Sequence, residues 1–428
     1  MRDASDNAGK RRAPAVDVRS LTTVGILVAI IMGFYVAVYL YTRAYEPAGN
    51  PHFFLTPANL SNLLGQAAIV GILACGMTLV IVAGHIDLSV GSLLGMLGGV
   101  AAWLLRGTPA TAEMAAAPGW SSAAAMAAAV ALGAALGALH GSLVAGLHVP
   151  AALRRLPGGG LLQRLEGVRI PAFVVTLGGF MAYRGVLQII ARRTIPVAEE
   201  SAVVVLGAGV LPMAWAWVLA ALLVAGVVAG VVLRRRGDRA VGLESVALGW
   251  DAARIAAAGL VVFGLCYWLN RGDGVPLRFV VMLLIAVVVS VVASRFTFGR
   301  RVYAIGGNVE AATYSGIRVG WHLIGVFAIM GGIAAIAGLV SVGRLGAATA
   351  AEGDLMELYA IAACVIGGTS LSGGRGTVFG AIVGALIMAT IRNGLSALGR
   401  DSSIEKIVLG VILVLAVGFD LLLSRRKS

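Results

Sequence analysis

Asp87 is the first residue whose type and setting could do chemistry. It sits in Gly84-His-Ile-Asp-Leu-Ser89, between two apolar runs. A carboxylate drawn into lipid is costly, so within a membrane segment it marks a function by default. Asp87 either lines a translocation pathway or, with Ser89, caps the helix that follows. His85 beside it reads as an interfacial residue. Arg184, in Gly178-Gly-Phe-Met-Ala-Tyr-Arg184, is the other charge inside an apolar stretch. It either snorkels to an interface or pairs with a carboxylate.

Catalytic constellations are not found in the sequence. No group of His, Asp and Glu has metal-ligand spacing, and no nucleophile stands with a base. No metal or cofactor is therefore expected. Cys75, Cys266 and Cys364 lie in apolar segments without pair or metal spacing and read as packing residues. A P-loop needs Gly-Lys-Ser/Thr to cradle phosphate. The lysines are Lys10, Lys406 and Lys427; Gly9-Lys10 is followed by Arg11, and the others do not follow Gly. The chain is thus expected not to be an enzyme. Any ATP-driven step needs another chain.

The elements that must hold these residues are membrane helices. Hydrophobic residues make up 59% of the 428 and charged residues 12%, against about 25% charged in a soluble domain. Mean hydropathy is +0.94. The 59 glycines suit close helix contact in lipid. Apolar candidate spans cover 21–41, 62–84, 88–105, 122–145, 172–190, 205–233, 255–268, 279–293, 322–342, 359–368, 378–391 and 407–423. The expected fold is an all-α polytopic bundle of about ten to twelve spans. The adjacent stretches 359–368 and 378–391 are too short for a full crossing and read as a broken or re-entrant pair. Segment 21–41 is longer than a signal-peptide core and reads as a retained first span.

Charge sets the orientation. The net charge is +13, and most basic residues fall in 1–20, 149–170, 234–254, 295–318, Arg375 and the C-terminal tail. Alternating spans put all of these on one side, expected to be the cytoplasm with both termini inside. No basic run is interleaved with aromatics as a nucleic-acid groove requires, so the basic excess reads as loop bias. The expected organisation is a cytoplasmic tail over 1–20, a transmembrane domain over 21–424 holding a cytoplasmic loop over 295–318, and a short tail over 425–428. The opposite side carries Glu199–Glu200 and Glu352, Asp354 and Glu357.

Two further patterns bear on function. Gly84-x-x-x-Leu-Ser-x-Gly91 returns as Gly367-x-x-x-Leu-Ser-x-Gly374. This is either chance in a Gly-rich chain or a pointer to a pathway built from Gly-interrupted segments. Asp87, Ser89, Thr369 and Ser370 are the resulting pathway candidates. In 298–317, Glu310-Ala311-Ala312 can begin a short helix and Gly316 can end it. This stretch is either an ordinary loop or a helix that seats in a partner's groove and transmits its movement.

These residues carry a family resemblance. The sequence resembles the permease subunits of bacterial ATP-binding cassette importers for ribose, xylose and related sugars. The matching stretches are Leu55-Thr-Pro-Ala-Asn-Leu-Ser-Asn-Leu-Leu64, Gly71-Ile-Leu-Ala-Cys-Gly-Met77, Ile86-Asp-Leu-Ser-Val-Gly-Ser92, Pro171-Ala-Phe-Val-Val-Thr-Leu-Gly-Gly179, residues 298–317, and Ala360-Ile-Ala-Ala-Cys-Val-Ile-Gly-Gly-Thr-Ser-Leu371. They cover most of the chain in order.

The resemblance implies an inner-membrane subunit that works as two copies. It implies a cytoplasmic ATP-binding subunit beneath and a periplasmic sugar-binding protein above, with a monosaccharide as cargo. It assigns Arg300, Gly306, Gly307, Asn308, Glu310, Ala311, Ala312 and Gly316 to the contact with the ATPase. The chain's length, with extra material around 196–276, points to the xylose-type branch rather than the shorter ribose type. Residues 153–167, an inserted basic Gly-rich loop, and His85 depart from the pattern. The competing reading, an ion-coupled secondary transporter embedded in lipid, requires several carboxylates at bilayer depth. The sequence offers Asp87 alone.

Overall fold

The computed structural model describes residues 18–45, 49–107, 119–146, 169–240, 242 and 247–425. Fifteen α-helices occupy the described residues. They are α1 (Val18–Tyr45), α2 (Pro57–Val82), α3 (Val90–Arg106), α4 (Ser122–Ala145), α5 (Ala172–Ile190), α6 (Ala202–Ala208), α7 (Met213–Ala240) and α8 (Leu248–Leu269). Then come α9 (Leu277–Arg295), α10 (Thr297–Gly307), α11 (Val309–Tyr314), α12 (Val319–Leu345), α13 (Met356–Ile366), α14 (Val378–Ala397) and α15 (Ser402–Arg425). Nine of the described helices are long and apolar enough to cross a membrane, and α3 and α13 are shorter apolar helices. The all-helical membrane bundle expected from composition is borne out. The basic loop over 153–167 and the first 17 residues lie outside the described residues.

Helix α2 is the hub. Thr56 accepts a hydrogen bond from Asn59 N, and Pro57 opens the first turn, where its missing N–H costs nothing. Of its most apolar window 94% is buried by protein, against 11% for α1, so α2 meets neighbours on every side while α1 lies at the edge of the bundle. Asn59 and Asn393 exchange two hydrogen bonds of 2.9 Å, joining α2 to α14 away from water.

Close packing of α4 on α12 rests on small residues. Gly133, Gly137 and Gly141 recur every fourth residue along one face of α4. A Cβ at Gly137 would overlap the Phe327 carbonyl, and one at Gly141 would lie 2.6 Å from Ile324 Cα. In lipid such backbone approach replaces the hydrophobic drive between helices. Gly137→Leu is expected to force the pair apart, costing about 1–3 kcal/mol or more. The check is a lower melting temperature of the detergent-purified protein, with Gly178→Leu, where nothing lies within 4 Å, unaffected.

Two short antiparallel pairings, β1 (Ile195–Pro196) with β4 (Ala347–Ala348) and β2 (Val210–Leu211) with β3 (Val275–Pro276), tie loops together at one end of the bundle, here the distal end. The loops 83–89, 296–318 and 367–377 meet at the opposite, proximal end.

Three expectations about spans need correction. The single span over 205–233 is two helices. Gly207 of α6 packs on the backbone of Gly343 and Arg344 N, and Pro212 cannot continue a helix, so the chain restarts at α7. Segment 378–391 is not short: α14 has 20 residues because Thr377 accepts from Gly380 N and the helix runs on through Asn393. Segment 234–254 is not all loop. Helix α8 begins at Leu248, so Asp251 is buried and accepts from Arg234 Nη2 at 2.5 Å and Arg235 Nε at 2.6 Å. The segment around 196–276 is largely the α7–α8 hairpin, whose exposed Leu222, Leu260 and Val261 suit a lipid-facing surface.

Candidate functional site

The proximal end carries the first candidate region. The 295–318 stretch forms two helices, α10 and α11, rather than the one short helix expected over Glu310–Ala312. Gly299, Val302 and Ile305 turn α10 onto the bundle, while Arg300, Ala304 and Gly307 face outward. Arg300 Nη1 donates to Arg295 O at 3.0 Å. Asn308 caps α11 by accepting from Ala311 N at 2.9 Å. Glu310 and Ala311 are exposed and Ala312 is buried. Gly316, at φ +77, ends the helix: its N–H bonds Thr313 O, and Ile317 N bonds Ala312 O. Tyr314 is 91% exposed beside them.

Gly306 links this surface to the core. A Cβ there would overlap the Val82 carbonyl at the end of α2 and sit 2.7 Å from Gly374 N. Gly374 N itself donates to Val82 O at 2.9 Å. One carbonyl thus gathers α2, α10 and the 367–377 loop.

The Gly-Leu-Ser echo has a structural counterpart. Helix α2 ends with Gly84 at φ +84, Gly84 N bonding Ile81 O at 2.9 Å and His85 N bonding Val80 O at 3.1 Å. Helix α13 ends the same way: Gly368 is at φ +87, its N–H bonds Val365 O at 2.9 Å, and Thr369 N bonds Cys364 O at 2.9 Å. Both are left-handed glycine caps closed by a 6→1 and a 5→2 bond. The register differs by one residue: the sequence echo pairs Gly84 with Gly367, whereas the caps pair it with Gly368. The two loops touch where Gly373 approaches Gly84.

Helices α3 and α13 both begin inside the bundle. Ser89, at the head of α3, packs against Gly179, seven residues into α5, or about 10 Å from the start of that helix. Helix α13 has 11 residues, about 16 Å, and covers only half of a bilayer core. A Cβ at Gly91 would overlap the Glu357 carboxylate and lie 2.6 Å from Gly353 O, so the first turns of α3 and α13 cross through a glycine. Here the broken-helix expectation for 359–368 holds.

Polar groups collect around this crossing. Asp87 is 2% exposed. Its Oδ1 accepts from Ser89 N at 2.9 Å and from Ser89 Oγ at 2.6 Å. Asp87 therefore shapes the turn into α3, and no side-chain bond from Ser89 caps the helix itself. Asp87 also interacts electrostatically with His140 of α4. Tyr183 of α5 closes the group, its Oη 2.9 Å from His140 Nε2 with the rings stacked. Ser92 Oγ, His140 Nδ1, Glu357 Oε2 and Thr369 Oγ1 are buried with no hydrogen-bond partner among the described residues. Ser370 Oγ lies 2.9 Å from Ser372 Oγ, in the 367–377 loop with Thr369. The two pairs of pathway candidates therefore occupy neighbouring loops, not one.

Asp87 is not the only buried carboxylate. Asp251, Glu352 and Glu357 are buried too. The sequence placed Glu352 and Glu357 in an open acidic loop, but residues 350–357 fold inward against Gly91 and Gly95. Ser341 Oγ donates to Glu352 Oε1, and burial pushes the Glu352 carboxyl above the usual range. Arg184 spans this fold. It donates to Glu352 O at 3.0 Å and meets Asp354 at 3.4 Å, which settles it as a loop anchor paired with a carboxylate. His140 and Tyr183 escaped sequence reasoning because each stands alone in an apolar helix and only packing brings them to Asp87. His85 is half-buried against Phe327. No group of three or more metal-ligating side chains occurs among the described residues.

Known proteins supply the remaining context. A family model described as "Branched-chain amino acid transport system / permease component" matches residues 59–417. The xylose transport system permease protein XylH of Escherichia coli (strain K12) is 40% identical over 381 residues, 87% of each chain. XylH of Haemophilus influenzae is 37% identical over 399 residues, 92% of this chain and 94% of that one. The ribose import permease protein RbsC of Bacillus subtilis is 31% identical over 379 residues, 89% of this chain and 88% of that one. No solved structure matches the chain. Nine long apolar helices, half-helices meeting inside the bundle and a match spanning most of the sequence converge: the chain belongs to the branched-chain amino acid transport system permease family, as a multi-pass, non-catalytic membrane subunit of an ATP-binding cassette transporter.

Proposed function

We propose that this permease moves a monosaccharide, D-xylose, inward across the bacterial inner membrane. The observation that carries the sugar is the 40% identity to a xylose permease along 87% of both chains. The proximal end is the cytoplasmic one in this reading, and both termini lie there. Arg234, Arg235, Arg254, Arg295, Arg300, Arg301 and Arg318 gather at that end, as the bias of basic residues toward the cytoplasm favours.

Each partner has a place. A cytoplasmic ATP-binding subunit docks on α10 and α11, where Arg300, Gly307, Glu310 and Ala311 face solvent and Tyr314 projects. ATP binding closes the ATPase pair and displaces α10. Gly306, seated on the Val82 carbonyl, carries that displacement into α2 and the 367–377 loop. The distal end receives sugar from a periplasmic binding protein, and a second copy of the chain completes the pathway in the membrane lipid. Asp87, Ser89, Thr369 and Ser370 lie where α3 and α13 are interrupted, next to that route.

Reconstitution in liposomes with the ATP-binding and sugar-binding subunits tests the reading. Uptake of labelled xylose is expected only with ATP present and is expected to survive a protonophore. Equal uptake with and without ATP would sink it, and uptake abolished by the protonophore at held ATP would point to ion coupling instead.

A further inference from the structure

The distal half holds a cavity of about 380 Å3 between α2, α12, the 349–356 turn, α13, α14 and α15. It lies at the end of α12 away from α11, since Ser341, Arg344 and Leu345 form its wall. Its charged lining is balanced: Arg344, Arg392 and Lys406 stand against Glu352, Asp354 and Glu405. A cavity so lined favours neither an anion nor a cation. It offers donors and acceptors in similar number, which suits a neutral ligand with many hydroxyls.

The walls are pre-organised. Tyr359 Oη donates to Glu405 Oε1, and Arg392 Nε holds the same carboxylate at 3.1 Å. The Arg392 guanidinium also lies over the Tyr359 ring, 5.8 Å from its centre. On the opposite wall Ser341 fixes Glu352. Arg344 and Lys406 make no hydrogen bond or ion pair among the described residues. The Arg344 guanidinium, a fork of donors that interacts electrostatically with Glu352, can turn to an occupant. Ile69, Leu355 and Met356 add apolar surface for the C–H face of a ring. The volume falls at the small end of ligand pockets, about 300–1,000 Å3.

We infer that this cavity is a receiving site for a single neutral monosaccharide, held by Arg344, Glu352, Arg392 and Glu405 between release from the binding protein and passage to the α3–α13 crossing. The inference deepens the functional reading above and rests on it.

A cysteine at a lining position tests it directly. The native cysteines of this chain are all buried, so Thr349→Cys in the full complex gives the permease one accessible thiol, whose labelling by a water-soluble reagent is read on the permease band. D-xylose at about ten times its dissociation constant is expected to slow that labelling by about tenfold, since only the empty site reacts, while glycerol is not. Arg344→Ala is expected to remove the protection and to raise the KM for uptake while ATP hydrolysis continues. Labelling that xylose does not slow, or Arg344→Ala uptake equal to wild type, overturns the inference while the wild-type complex still imports xylose with ATP. A wild-type complex that imports no xylose overturns the functional reading itself, and the inference with it.

Discussion

Gly306→Val is expected to cut ATP-driven uptake sharply while leaving the membrane bundle folded. The added side chain would overlap the Val82 carbonyl and crowd Gly374 N, both backbone atoms that cannot swing aside. Helix α10 must then lift from α2. Because α10 lies at the edge of the bundle, with Phe296, Arg300 and Gly307 exposed, lifting it leaves the α2–α14 and α4–α12 packing untouched. Coupling energies between sites run to about 2 kcal/mol, so losing this contact is expected to lower uptake on the order of tenfold or more. Gly320→Ala is the control, since its Cβ would meet only Ala145 Cβ at an ordinary 3.5 Å. The measurements are ATP-dependent uptake in liposomes and the melting temperature of the purified permease. Wild-type uptake by Gly306→Val would mean that α10 does not transmit movement through this seat.

The second large effect separates the two roles open to Asp87. Its Oδ1 accepts from both the amide and the hydroxyl of Ser89 in a buried turn. Asp87→Ala leaves both donors unpaired away from water, at a cost of about 1–3 kcal/mol. The turn into α3 is expected to loosen, with a lower melting temperature and weaker uptake. Asp87→Asn keeps an acceptor at the same position and removes only the charge. If Asp87 works by shaping the turn, the Asn variant melts and transports close to wild type. An Asn variant that folds as well as wild type but transports as poorly as the Ala variant shows the reverse: the charge itself serves the pathway. The geometry favours the turn, because Ser89 already takes both contacts of that oxygen and the carboxylate has only 2% exposure.

Ion coupling gains less from the buried carboxylates than their number suggests. Asp251 is neutralised by two arginines at 2.5 and 2.6 Å and sits on the lipid-facing α7–α8 hairpin, away from the crossing. Glu352 is held by Ser341 and its backbone by Arg184. Glu357 lies against Gly91 in the first turn of α3, so a proton-linked step would have to use Glu357 or Asp87.

The class of the protein was written in its composition and in its motifs. Long apolar runs with so few charges leave helices as the only spanning structure, because lipid offers backbone groups no partners. Local signals also fixed several ends: Ser122–Ala145 and Ala172–Ile190 begin and end where the sequence placed them, and Gly316 ends α11 through a left-handed cap that its lack of a side chain permits. The glycine motifs and the 298–317 stretch carried the family, which the match over residues 59–417 bears out.

Packing between distant segments decided the rest. Whether an apolar run breaks depends on what it meets: Gly207 against α12 stops one helix, and Thr377 starts another that runs farther than hydropathy alone marked. Burial of Glu352, Glu357 and Asp251 depends on loops folding inward and on arginines up to 168 residues away, as for Arg184 and the Glu352 carbonyl. His140 and Tyr183 join Asp87 only because Gly179 leaves room between three helices. Hydropathy is a property of single segments, so one chain of residues declares that it enters lipid. Which polar groups meet inside is a property of contacts between segments, and only the assembled tertiary structure sets those.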